Sequence, residues 1–276
     1  MSFAIASSFR RAFDSAGWAA RKVADSDDDP TDGLRQFIRD LAMPPVFGVR
    51  EDALDRSHVS YSEMTDTLVL AAESGGEPLD LVVLAYSIGE LDPRRCVATR
   101  AHRLSGGDPF GFAISDQGTA APFTALALIA SYLGSGMCHR ALLVVAEQAE
   151  VPYHVPAGTV LPERDTAVAL VVERDAGARV RTLVQRASVA PSEVEAIVAT
   201  ELAALPAGPT GPTGPAGPAQ VTVIGPTGLP SGLVCTAPWW ALAEELSRPA
   251  GDPRRTVLVN YDASLGYLGV LAVDLE

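Results

Sequence analysis

Lysine is almost missing from this chain: Lys22 stands alone against twenty arginines. That skew reflects a GC-rich genome and points to no site. Cysteine is scarce and odd in number. Cys96, Cys138 and Cys235 have no metal-binding spacing, as expected of reduced thiols in a cytosolic protein. Four scattered histidines give no zinc signature. Net positive charge is absent: the formal charge is −13, so no long-range attraction draws the chain to nucleic acid or anionic lipid. No apolar run reaches membrane-spanning length, and the apolar stretch in MSFAIASSFRRAF is too short for a signal peptide. The expectation is a cytoplasmic protein with no nucleic-acid or membrane partner, no metal and no cofactor.

What is present is a globular composition. The 276 residues are 47% apolar, enough for one large domain or two small ones. The first eighty residues read as mostly helical, with helices over 33–43 and 62–72 and Ser62 as the N-cap of the second. LDLVVLAYS from Leu79 is a continuous apolar run and predicts a covered strand. A helix over 94–104, a strand over 109–115 and an apolar helix over 121–135 follow. Pro122 in the first turn of that helix and Gly134 and Gly136 at its end are the usual start and stop residues. Strands are expected at 141–147 and 166–173, then a helix over 192–205 opened by a Ser192/Glu195 capping box. GPTGPTGPAGPA at 208–219 reads as an exposed polyproline-type loop, too short for a collagen helix. Strand 220–224, helix 237–247 and strands 256–261 and 267–275 complete the chain. Strands alternating with apolar helices predict an α/β fold.

The most informative feature is an internal repeat. APFTALA at 121–127 returns as APWWALA at 237–243. Each copy opens a helix that is followed by Arg and an apolar strand, RALLVVAEQ from Arg140 and RTVLVNYDA from Arg255, and then by a closing strand, TAVALVVERD or GYLGVLAVDL. A strand also precedes each helix. The spacing between that strand and the helix is much shorter in the second copy, leaving no room there for one helix and one strand. The expected division is 1–178 and a reduced 179–276 that carries the 208–219 loop.

A duplicated strand–helix–strand unit with a buried helix in each half resembles the thiolase fold. The run LDLVVLAYS, RCVATRAHRLSGGDPFGFAIS, TALALIASYLGSGMCHRALLVVAEQ and DTAVALVVERD is similar to the ketoacyl-ACP synthase III branch. The resemblance implies two halves with buried helices between sheets, the second half shortened. It also implies a nucleophilic cysteine where the first buried helix begins, a place that lowers a thiol pKa and offers N–H groups to an oxyanion. Here the turn reads SDQGTAA and has no cysteine. Counting back from Ala125 and Leu126 puts the nucleophile position at Thr119, with Gln117 within the error of the count. The family histidine and asparagine are also missing: Gly225-Pro226-Thr227 stands where the histidine would follow its strand, and Asn260 sits in a later strand.

The residues leave several roles open. Gln117 replaces cysteine in some ketosynthase relatives, or it hydrogen-bonds the turn. Ser115 and Thr119 are hydroxyls at a helix start with Asp116 as the local acid–base group, or ordinary caps. Cys235 holds the mirror position before the second buried helix, or is a small buried apolar residue. Arg94, Arg95, Arg100 and Arg103 form a patch for an acidic carrier protein, or a solvated helix face. Three functions follow. The first is a non-catalytic, chain-length-factor-like subunit that pairs with an active ketosynthase or with itself in polyketide, fatty-acid or related secondary metabolism. The second is a divergent acyltransferase, hydrolase or decarboxylase acting on acyl carrier protein or acyl-CoA thioesters. The third is a small-ligand binding module. The resemblance further implies that strand 141–147 presents a free edge at a dimer two-fold.

Overall fold

The computed structural model describes residues 3–14, 31–41, 48–54, 56, 58–74, 76–91, 97–206, 220–249 and 253–275. In chain order the first half contains β1 (Ala4–Ala12), α1 (Thr31–Leu41), the single turn α2 (Glu51–Leu54), α3 (Tyr61–Glu73), β2 (Leu81–Ala85) and α4 (Val97–Leu104). It continues with β3 (Phe110–Ile114), α5 (Ala121–Ser135), β4 (Arg140–Glu147) and β5 (Thr166–Glu173). The second half has β6 (Ala178–Arg186), α6 (Val194–Ala203), β7 (Gln220–Ile224), α7 (Ala237–Leu246), β8 (Arg254–Asp262) and β9 (Tyr267–Leu275). The strands hydrogen-bond in the order β3-β2-β4-β5-β1-β6-β9-β8-β7.

Alternation along the strands sorts their side chains into three cores. Val83, Leu143, Leu170, Leu258 and Leu271 point inward onto α5 and α7, which bury Phe123, Leu126, Ile129, Trp239 and Leu242 in that core. Leu84, Val144 and Ala169 point the other way, under α3. Val257, Val259 and Val270 lie under Ile197, Val198 and Leu202 of α6. The result is five layers, helix–sheet–helix–sheet–helix, with the two apolar helices in the middle. The ladder folds over at β1, which pairs with β5 along its length but with β6 only through Ala4 and Ile5. Gly177 sits at this fold with φ +94°, and a Cβ there would meet the Ile5 carbonyl oxygen at 2.2 Å.

The repeat read in the sequence is a repeat of interactions. Arg140 lies opposite Glu173 in the β4/β5 register and binds it, Nε to Oε1, at 2.8 Å. Arg255 lies opposite Asp274 in the β8/β9 register, with bonds of 2.6 and 3.0 Å. Both arginines also reach a carbonyl on the outer-helix side, Ala72 in the last turn of α3 for Arg140 and Pro206, three residues past α6, for Arg255. Between β2 and α5 stand α4 and β3; between β7 and α7 stand neither. The second half is the shortened copy.

Several local expectations change. β1 and β6 are strands where none was expected. α3 is capped by Ser60, whose hydroxyl and amide form a reciprocal capping box with Glu63, while Ser62 is the second residue of the helix and fully buried. The 192–205 helix begins instead with a single tight turn, Pro191–Glu193, in which Glu193 accepts the Ala190 N–H at 2.8 Å. The 208–219 loop, Cys96, Arg94 and Arg95 lie outside the described residues. Arg100 is engaged by Asp66 at 2.5 Å.

The largest correction concerns strand 141–147. It is central, with β2 on one side and β5 on the other, so it has no free edge. Among the described residues the outer strands of the ladder are β3 and β7. Val144 is fully buried between β4 and α3. V144D would force an unpaired charge into that core, so it is expected to cost about 4 kcal/mol or more and unfold the chain rather than separate an assembly. Urea denaturation checks this; a V144D protein with wild-type midpoint would contradict the packing.

Candidate functional site

β3 delivers the chain to the mouth of the central helix layer. Ser115 and Asp116 follow, Asp116 with φ +62°, and then Gln117 and a 3-10 turn, Gly118–Ala120, that runs into α5. α5 has Pro122 in its first turn and no side-chain cap of its own. The cap comes from the other half of the molecule. Asp262, the last residue of β8, accepts the Thr119 N–H at 2.9 Å and the Thr119 hydroxyl at 3.3 Å through one oxygen, Oδ2. Its other oxygen accepts the Ser264 hydroxyl at 2.5 Å and the Ser264 and Leu265 N–H groups at 3.1 and 3.2 Å. Asn260, two residues earlier on β8, donates Nδ2 to the Thr119 hydroxyl at 3.0 Å and to its carbonyl at 3.1 Å. Gly118 holds φ +53°, and a Cβ there would stand 2.0 Å from Asp262 Oδ2, so the turn closes around the carboxylate only as glycine.

The other expected residues are nearby but do not join this cluster. The Ser115 hydroxyl bonds the adjacent Asp116 carboxylate at 2.7 Å. The Gln117 side-chain oxygen accepts the Thr124 hydroxyl one turn into α5, so it hydrogen-bonds the turn. Cys235 lies at the same end of the sheet, close enough to feel the Asp262 charge, but is fully buried beside Glu147. Burial first, and the Glu147 carboxylate second, push its thiol above the ordinary range, so it stays protonated.

Cys235 marks a second site built like the first. Glu147, the last residue of β4, reaches across to the start of α7. It accepts the N–H groups of Val234, Cys235 and Thr236 at 3.1, 2.7 and 3.2 Å and the Thr236 hydroxyl at 2.5 Å. Thr166 adds a hydroxyl at 3.0 Å. Each half thus ends its central strand in a carboxylate placed on the start of the other half's buried helix. The exchange neutralises both helix N-termini inside the protein.

The two carboxyls titrate oppositely. Glu147 is 1% exposed. Burial pushes its carboxyl up against the pull of the Thr236, Thr166 and Val234 hydrogen bonds. For Asp262 burial also raises, but the bonds from Ser264, Thr119 and Leu265 outweigh it and hold the carboxyl below its usual range. A carboxylate so stabilised is a poor proton acceptor. The Thr119 hydroxyl therefore sits at a helix start with an anion beside it but no effective base. Among the described residues, no group of three or more His, Cys, Asp or Glu is placed to hold a metal ion. Asp262 was not singled out from the sequence and Asn260 was set aside.

No sequence family and no curated protein matches this chain. Solved structures do. ChlB3, described as an acyltransferase, superposes with a TM-score of 0.62 at 18% identity, covering 100% of this chain and 98% of its own. OleA of Xanthomonas campestris with bound lauric acid and lauroyl-CoA gives 0.57 at 14% identity over 100% and 99%. The 3-oxoacyl-(acyl carrier protein) synthase III of Xanthomonas oryzae pv. oryzae gives 0.56 at 16% over 99% and 98%. This chain has the thiolase fold. Its Thr119–Asp262 and Thr236–Glu147 sites are the two helix starts of the central layer of a thiolase-like fold, and both lie at the end of the sheet where β2, β3 and β4 finish. Among the described residues no helix is long and apolar enough to cross a membrane.

Glu147 offers a pH test. A carboxyl whose folded pKa is raised binds more protons folded than unfolded, so its contribution to stability falls as pH rises from the ordinary glutamate range through the raised value. E147Q removes this component. The stability of wild type relative to E147Q is expected to decline as pH rises above the ordinary glutamate range, read from urea denaturation of both. A constant difference as pH rises would show that Glu147 does not titrate as its burial requires.

Proposed function

We propose that this chain is a non-catalytic ketosynthase-like subunit that pairs with an active ketosynthase in polyketide, fatty-acid or related secondary metabolism. One observation carries the reading. At the start of α5 the N–H, hydroxyl and carbonyl of Thr119 are held by Asn260 and by a carboxylate that is a poor base, and no thiol or imidazole hydrogen-bonds them among the described residues. Acyl transfer from a thioester needs a nucleophile that can lose its proton, and nothing in this cluster takes one. The fold supports the acyl-thioester context, since proteins that share it include a synthase III and a protein holding lauroyl-CoA.

The pairing surface in this reading is β3, not strand 141–147. β3 is a free edge beside three exposed or half-buried rings: Phe110 and Phe112 lie 5.7 Å apart, and each is about as far from Tyr132 of α5. Phe110 is 59% and nearby Met137 73% exposed. An unpaired strand edge flanked by apolar side chains invites continuation of the sheet into a partner. A second reading is a divergent acyltransferase that uses the half-exposed Thr119 hydroxyl, favoured by its direct contact with Asp262.

Intact-mass measurement decides between them. Wild type mixed with malonyl-CoA and lauroyl-CoA is expected to gain no mass; a stoichiometric adduct on Thr119 would establish the transferase. For pairing, light scattering at micromolar concentration is expected to show a dimer, alone or with a co-expressed ketosynthase. F110E should shift it to monomer without lowering the melting temperature, because the ring is on the surface. A wild type that is monomeric in both settings would remove the subunit reading.

A further inference from the structure

We propose that Asp262 is an internal occupant of the anion-binding place at the start of α5, so that the chain carries a latent acylation site closed by its own carboxylate. The proposal rests on the non-catalytic reading and names what enforces it. An oxyanion at a helix N-terminus is held by backbone N–H groups. Here the Thr119 N–H is already spent on Asp262 Oδ2, while Oδ1 takes the N–H groups of Ser264 and Leu265 in the turn after β8. The carboxylate thus draws N–H groups from both sides of the mouth onto itself. Gly118 leaves it room: any side chain there would strike Oδ2.

Loss of the nucleophile and occupation of the anion place are separate obstacles. Restoring a thiol at position 119 removes only the first. With Asp262 in place the new sulfur would lie beside a fixed negative charge, which disfavours the thiolate, and a tetrahedral oxyanion would find its donor taken. Removing Asp262 as well frees the N–H and the helix dipole to act on the sulfur and on the substrate oxygen. The restored step would be ordinary thioester exchange. The thiolate attacks the acyl carbon, a new S–C bond forms as the donor's S–C bond breaks, and the released thiolate takes up the proton that the introduced thiol gave to water.

The test compares T119C, T119C/D262G and T119C/D262N, with wild type alongside. The thiol pKa is read from the pH dependence of iodoacetamide alkylation, and acylation from intact mass after acetyl-CoA or lauroyl-CoA. T119C is expected to show a thiol at or above about 8.5, and both double variants a value lower by about one unit or more. T119C/D262G should acylate about tenfold faster than T119C or more. D262N keeps a carbonyl oxygen for Ser264 and Leu265, so if D262G fails to fold the thiol pKa of T119C/D262N decides. A single T119C variant that reacts as fast as the double variants, or double variants with an unshifted thiol, would overturn the proposal. An adduct on wild-type Thr119 would overturn the non-catalytic reading and the closure together, whereas unshifted thiols in the double variants overturn the closure alone.

Discussion

Two helix starts of the central layer, one fully buried and one partly exposed, need an acceptor, and in this protein each receives it from the far half. Glu147 at the end of β4 serves α7, and Asp262 at the end of β8 serves the turn into α5. Unpaired N–H groups in the middle of a five-layer core would each cost about 1 to 3 kcal/mol, and water has no access at α7. The packing of the central layer, the positions of Thr119 and Cys235 and the chemistry left at both helix starts all depend on this exchange. Its two ends differ because solvent reaches one and not the other. Around Asp262 the hydrogen bonds outweigh partial burial; around Glu147 full burial outweighs the hydrogen bonds.

Much of this was legible in the sequence because the signals are local. Pro122 and Gly136 bound α5, which occupies Ala121–Ser135 as read from those residues. The apolar runs of β2, β4 and β5 are buried on both faces, and such strands show as unbroken hydrophobic stretches. β1 and β6 escaped notice for the opposite reason. AIASSFRRA and ARVRTLVQR interleave Ser, Thr and Arg with apolar residues, since these strands lie along the fold of the sheet with partly exposed faces. Polar alternation there was masked by the helical look of the neighbouring segments.

The site was half legible. Counting along the helix placed Thr119 at its mouth, because that distance is set within one helix. Its partners come from a strand in the other half, and no local spacing reveals them. A signal existed in the repeat itself: β4 and β8 each end in a carboxylate the same number of residues after the arginine that opens the repeat. The assignment of strand 141–147 to an outer edge failed on similar grounds. Its apolar character on both faces describes a strand covered above and below and says nothing about whether neighbours flank it, as β2 and β5 do.

The strand β1 has a consequence for how the molecule is put together. It is made first, yet it is flanked by β5, made after four other strands, and touches β6, made later still. Ala4 faces both Glu173 and Arg179, so the opening segment has no sheet to join until most of the chain has left the ribosome. Contacts this distant in sequence are slow to form. The seam between the halves is therefore built from the pairings most distant in sequence, which makes its closure the entropically most costly part of enclosing the central helix layer.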